Sequence, residues 1–116
     1  REAGNHTCVV YLTDHAEESG TAFFRHKRTG WTSMPPMQQM RELGVMDEMK
    51  ADMVSRDTDK WEQVDYVRGQ KNRALIFDAP LFHSRFPLDG IGATPEDARI
   101  VWVTHFHKIS PSGEFF

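Results

Sequence analysis

Cysteine is nearly absent: Cys8 is the only one in 116 residues. An internal disulfide is thereby excluded. A lone thiol inside the apolar run CVVY reads as a buried, inert side chain rather than a nucleophile. The lack of disulfides suits a reducing compartment, and we expect a cytoplasmic location. No apolar run approaches the roughly 20 residues that cross a bilayer, and no signal-peptide pattern opens the chain. No membrane partner is therefore expected. A basic stripe is also missing. The 14 Lys and Arg are dispersed among 17 Asp and Glu, for a net charge of −3, so nucleic-acid binding is not indicated. Internal repeats and low-complexity tracts are absent too. The length suits a single domain over residues 1–116. Because the chain starts at Arg1 and reaches a strand-like run by Thr7, we expect it to be part of a longer domain.

What is present is mostly strand-like. TCVVYLT (7–13) and TAFFRH (21–26) have the β-branched and aromatic content of strands. DHAEESG (14–20) is rich in turn formers, and 27–30 is a polar turn. The character then changes: all six methionines fall between Met34 and Met53. Pro35 and Pro36 open a helix over 37–43, which Gly44 ends. Asp47 is placed to cap a second helix over 48–56. Met46, Met49 and Met53 recur at helical spacing, the pattern of a core stripe, with a methionine-lined substrate or partner groove as the alternative. Residues 31–60 thus form a helical insertion between strands, expected to cover one end of the sheet. Extended character resumes at 61–67, 74–78, 81–86 and 99–108, the last expected to be the longest strand. The 87–97 stretch, with Gly90, Gly92 and Pro95, is a loop. Strands joined by loops rather than βαβ crossovers argue for an antiparallel sandwich or barrel.

Two polar side chains stand out in apolar runs. NRALIFDAPLFH delivers His83 to a strand, and ARIVWVTHFH opens its strand with Arg99. Read alone, His83 is a core histidine bonded to a backbone carbonyl, or a metal ligand. Arg99 is a structural ion pair with Glu96 or Asp97, or an anion-binding group. An imidazole ligand followed by a guanidinium fork suits a site where a metal and an anionic co-substrate are held together. Asp78 reads as a loop-holding carboxylate. Arg73 and Arg85 read as exposed or charge-paired, although Arg85 shares strand parity with His83.

The order of these pieces resembles the iron(II)- and 2-oxoglutarate-dependent dioxygenases, in particular their prolyl-hydroxylase-like branch. YLTD (11–14), SGTAFF (19–24), NRALIFDAPLFH (72–83) and the Arg99 strand follow one another as that branch's motifs do. The resemblance implies a mainly β fold, a double-stranded β-helix of jelly-roll or cupin-like form, of which this chain is the C-terminal part. It implies Fe(II) as metal and 2-oxoglutarate as co-substrate. His83 becomes the distal iron ligand, and Arg99, helped by Tyr11, holds the far carboxylate. The branch carries its first two ligands as H-x-D on the strand before YLN. No such motif precedes Tyr11, so we expect that pair upstream of residue 1, and the 116 residues alone to be inactive. The 15 residues between His83 and Arg99 must include a looped-out segment.

Other ligand sources are visible. His15 and Glu17 form an H-x-E, set in a turn. His105 and His107 share one strand face with Val103, Val101 and Arg99; with His83 they would make a three-histidine site of cupin type. The expectations are therefore an oxygenase of hydroxylase type acting on an unidentified small molecule or peptide, a cupin-like metal-binding protein, or a non-catalytic jelly-roll interaction domain. Substrate and oligomeric state are not written in the residues.

Overall fold

The computed structural model describes residues 5–14, 18–55, 57–88 and 98–107. The chain is mainly β, with two antiparallel three-stranded sheets and two short helices. The strands are β1 (His6–Tyr11), β2 (Gly20–His26), β3 (Trp61–Arg68), β4 (Ala74–Asp78), β5 (His83–Phe86) and β6 (Val101–Phe106). One sheet runs β4-β1-β6, the other β3-β2-β5. Sequence neighbours β1 and β2 lie in different sheets, so the chain switches sheets across 12–19.

Thr7, Val9 and Tyr11 are buried while the residues between them are half-buried, so β1 turns alternate side chains inward. Register carries that face across the sheet. Thr7 opposes Phe77 and His105, Val9 opposes Leu75 and Val103, and Tyr11 opposes Val101. Val9, Tyr11 and Phe77 form one core cluster, against which Phe23 of β2 packs together with Leu75, Leu81 and Val101. The rings of Phe23 and Phe77 meet edge to face at 5.1 Å, which joins the two sheets. Tyr11 and Thr21 join them a second time, their hydroxyls bonded at 2.5 Å.

The opposite face of the β3-β2-β5 sheet carries the helices. These are α1 (Met37–Leu43) and α2 (Met46–Val54), with a 3-10 turn at Thr58–Lys60. Met40, Met49 and Phe82 are buried there with Phe24, Trp31 and Trp61 packed around them. Gly44 takes φ of +71° to close α1, a conformation that glycine adopts without Cβ strain. The strands expected at 21–26 and 74–78 and the helix at 37–43 are present within a residue.

Several expectations change. Asp47 lies in the first turn of α2, whose cap is Val45; the helix begins earlier because Met46 is already packed against the core. The methionine stripe is divided: Met49 is buried, Met46 half-buried and Met53 exposed. The longest strand is β3, with eight residues, and not β6, with six. The helices lie against the back of one sheet rather than across its end. Cys8 is half-buried, since it alternates away from the core face of β1.

Candidate functional site

Among the described residues β5 is an edge strand paired with β2 alone, with His83 opposite Phe23 and Arg85 opposite Thr21. Directly opposed residues share a face. His83 and Arg85 therefore sit on the inward face with Phe23 and Thr21. The His83 ring confirms this, lying 4.7 Å from Phe77 and 6.3 Å from Phe23, yet the residue is exposed. Its Nδ1 is 2.7 Å from the Leu81 carbonyl oxygen. A carbonyl only accepts, so Nδ1 donates its N–H and carries the proton. In the neutral ring Nε2 then keeps its lone pair, the arrangement a metal ligand needs.

Arg99 lies just ahead of β6, and backbone bonds on its C-terminal side fix it. The Leu12 N–H donates to the Ile100 carbonyl, and the Ile100 N–H donates to Thr13 Oγ1. Continuing the Tyr11–Val101 register puts Arg99 on the inward face. The guanidinium reaches the other sheet, where Nη1 donates to the Gly20 carbonyl at 2.8 Å. Its carbon lies 6.0 Å from the centre of the Tyr11 ring, at the outer limit of a cation–π contact. Among the described residues no carboxylate pairs with Arg99. Glu96 and Asp97, its expected structural partners, lie outside the described residues.

Along β2, Gly20 beside Arg99 and Phe23 beside His83 are three residues apart, or about 10 Å at the rise of a strand. Both side chains thus border the space between the sheets, at neighbouring levels. Tyr11 is also there, but 1 % exposed, with its hydroxyl bonded to Thr21. What it offers Arg99 is its ring.

The remaining candidates are dispersed. His15 and Glu17 lie outside the described residues. His105 is exposed on β6, its Nδ1 3.0 Å from Thr7 Oγ1. His107 follows the strand and is half-buried. His83, His105 and His107 do not converge as three ligands; among the described residues the one such group within 4.8 Å is His26, Glu48 and Asp52. Arg73 caps the 68–72 turn through the Arg68 carbonyl and Gln70. Arg85 Nε donates to the Leu88 carbonyl, and Asp78 lies 3.5 Å from His6.

A cavity of about 340 Å³ opens beside β5, with walls that include Phe24, Met53, Trp61, Leu81 and Phe82, and His83 at its border. Sequence reading passed over the His26 group. Its one advance signal is the four-residue spacing of Glu48 and Asp52, which puts both carboxylates on one helix face.

The DUF6445 family, described as a family of unknown function, matches residues 1–89, and the chain belongs to it. That region holds β1 to β5 and His83, and ends before Arg99. No curated protein and no solved structure matches the chain. No helix among the described residues is long and apolar enough to cross a membrane.

Proposed function

We propose that the chain is the C-terminal part of a double-stranded β-helix oxygenase that uses Fe(II) and 2-oxoglutarate to oxidise an unidentified substrate. The observation carrying this reading is the pair His83 and Arg99 on the inward faces of two facing sheets, about 10 Å apart along β2. That separation along the strand axis suits a five-carbon diacid, with a metal bond of about 2 Å at one end and charge-assisted hydrogen bonds of about 2.8 Å at the other. The donor chemistry fits: His83 is held in the tautomer that presents Nε2, and among the described residues Arg99 has donors to spare after bonding Gly20.

When bound, the iron and co-substrate supply the oxidising chemistry. The protein's part is positioning. The Leu81 carbonyl orients the imidazole, while Phe77 and Phe23 pack against it. Gly20 and the Tyr11 ring hold the guanidinium at a fixed height for the far carboxylate. Two further ligands are required, and the resemblance assigns them to an H-x-D pair outside the 116 residues.

The test is succinate release from 2-oxoglutarate by the full natural protein with Fe(II). We expect His83→Ala to abolish release. Arg99→Ala should weaken 2-oxoglutarate binding by about tenfold or more, the worth of a charge-assisted hydrogen bond. Metal binding with no turnover and no 2-oxoglutarate affinity would refute the oxygenase reading in favour of a cupin-like binder. Partner binding that is indifferent to both substitutions would favour an interaction domain.

A further inference from the structure

We propose that His26, Glu48 and Asp52 form a binding site for a divalent transition metal that fastens the helical insertion to the sheet. This site lies on the helix-bearing side and is independent of His83.

His26 ends β2 and is fully buried beneath Trp61, with ring centres 4.9 Å apart. Its Nε2 lies 2.6 Å from Asp52 Oδ2 on α2, and its Nδ1 lies 2.9 Å from Thr29 Oγ1. Glu48 is one helical turn before Asp52, so α2 presents two carboxylates toward one imidazole. All three donor atoms fall within 4.8 Å of one another. Zinc holds such nitrogen and oxygen donors at about 2.0–2.2 Å. Seating it needs the His26–Asp52 contact to open slightly and Glu48 to swing inward. Glu48 is one-third exposed and can move; His26 and Asp52, at 1 % and 13 %, are held.

Binding puts the metal on Nε2 of the neutral ring, whose single proton then resides on Nδ1, so the ring itself releases none. Nδ1–H then donates to Thr29 Oγ1, the second contact that fixes a ligating imidazole. A cavity borders the group, lined also by Lys27, Arg28, Asp59 and Lys60. Its charge is mixed, so it does not collect hard cations by field alone. Selectivity falls to metals that bond imidazole strongly, zinc and cobalt over magnesium and calcium. Arg28 is the built-in competitor. It is more than half exposed and hydrogen-bonded to Glu48, and an exposed pair of this kind is weak enough to be displaced.

The experiment is a Co(II) titration of the full chain carrying His83→Ala, followed by visible absorption. One equivalent should still bind, with Zn(II) displacing it and millimolar Mg(II) failing to. Glu48→Gln should weaken binding at least tenfold. Arg28→Gln should tighten it about threefold by releasing Glu48, a result that a purely structural ion pair does not give. Both substitutions are at the surface and leave the buried His26–Asp52 contact intact. Absence of binding by the His83→Ala chain would overturn the proposal, as would affinities that Glu48→Gln or Arg28→Gln leaves unchanged.

Discussion

Tyr11 and Thr21 give the sharpest test of how the two sheets are joined. Both are at least 95 % buried, they lie in different sheets, and among the described residues their hydroxyls bond each other across that gap. Tyr11→Phe keeps the ring and its place beneath Arg99 but leaves the Thr21 hydroxyl buried without its partner. Thr21→Val does the reverse at nearly constant volume. Each stranded hydroxyl costs about 1–3 kcal/mol, whereas a net hydrogen bond contributes about 1 kcal/mol. We expect about 1.5–2 kcal/mol of destabilisation from either single change and about 1 kcal/mol from both together. The coupling energy is then about 2–3 kcal/mol, well above the scatter between independent sites. Urea unfolding of the four proteins measures it, provided the slope with denaturant stays constant. Coupling below about 0.5 kcal/mol would mean that the hydroxyls do not depend on each other. The same Tyr11→Phe protein separates two roles in the proposed site. A phenol tied to Thr21 leaves 2-oxoglutarate affinity within about twofold, while a phenol donating to the co-substrate would cost about tenfold.

Gly20→Ala should unfold or severely weaken the chain, by about 3 kcal/mol or more. Its Cβ would stand 2.0 Å from the Val67 carbonyl oxygen and under 3 Å from two further backbone atoms of the β3 end, and thermal melting reads the loss. At acid pH, the bond from Arg28 holds the Glu48 carboxyl below its ordinary 4.5. That stability is present above pH 4.5 and is lost as pH falls through the lower folded value, so Arg28→Gln should flatten this part of an acid-unfolding profile. At alkaline pH, burial raises the Tyr66 phenol above its ordinary 10.0, with the Glu18 charge adding to the effect. Folded stability is full below pH 10 and falls as pH rises past it, and Tyr66→Phe should remove that slope in denaturation measured from pH 9 to 11.

Local pattern was legible in the residues, and long-range partnership was not. The strand at 74–78 and the helix at 37–43 could be read because their signals are local: a short Leu-Ile-Phe run in one, Pro-Pro before and glycine after in the other. The misplaced cap at Asp47 follows from the same cause in reverse. Cap chemistry favours aspartate, but packing of Met46 against the cluster of Met40, Met49 and Phe82 outweighed it. His83 and Arg99 drew notice because each is a polar residue in an apolar run. That both border one space depends on β5 pairing with β2 and β6 with β1, which no local pattern states. His26 shows the limit most clearly. It stands beside a basic turn, and its acidic partners arrive 22 and 26 residues later. Helical spacing was visible there, but the methionines of the same helix drew the reading instead.

β2 is the strand on which both proposals converge, and its alternation keeps them apart. Phe23 faces inward, against Phe77 and the His83 ring; Phe24, the next residue, faces the helices and packs with Trp61. The pairing with β3 shifts register between these two residues, a local irregularity that increases strand twist and re-aims side chains. Arg99 is anchored at the Gly20 end and the His26 group at the other. A perturbation at His26 can reach His83 through the backbone and packing of that strand, and also through Trp61, whose ring lies 4.9 Å from His26 and 5.0 Å from Phe82, the residue before His83. If that strand is rigid, loading the His26 group with Zn(II) should raise the melting temperature of the His83→Ala chain as much as that of the unsubstituted chain. Unequal shifts at saturating metal would show that the two faces are coupled, through β2 or through Trp61 and Phe82, and that the insertion influences the His83 side as well as fastening to the back of the sheet.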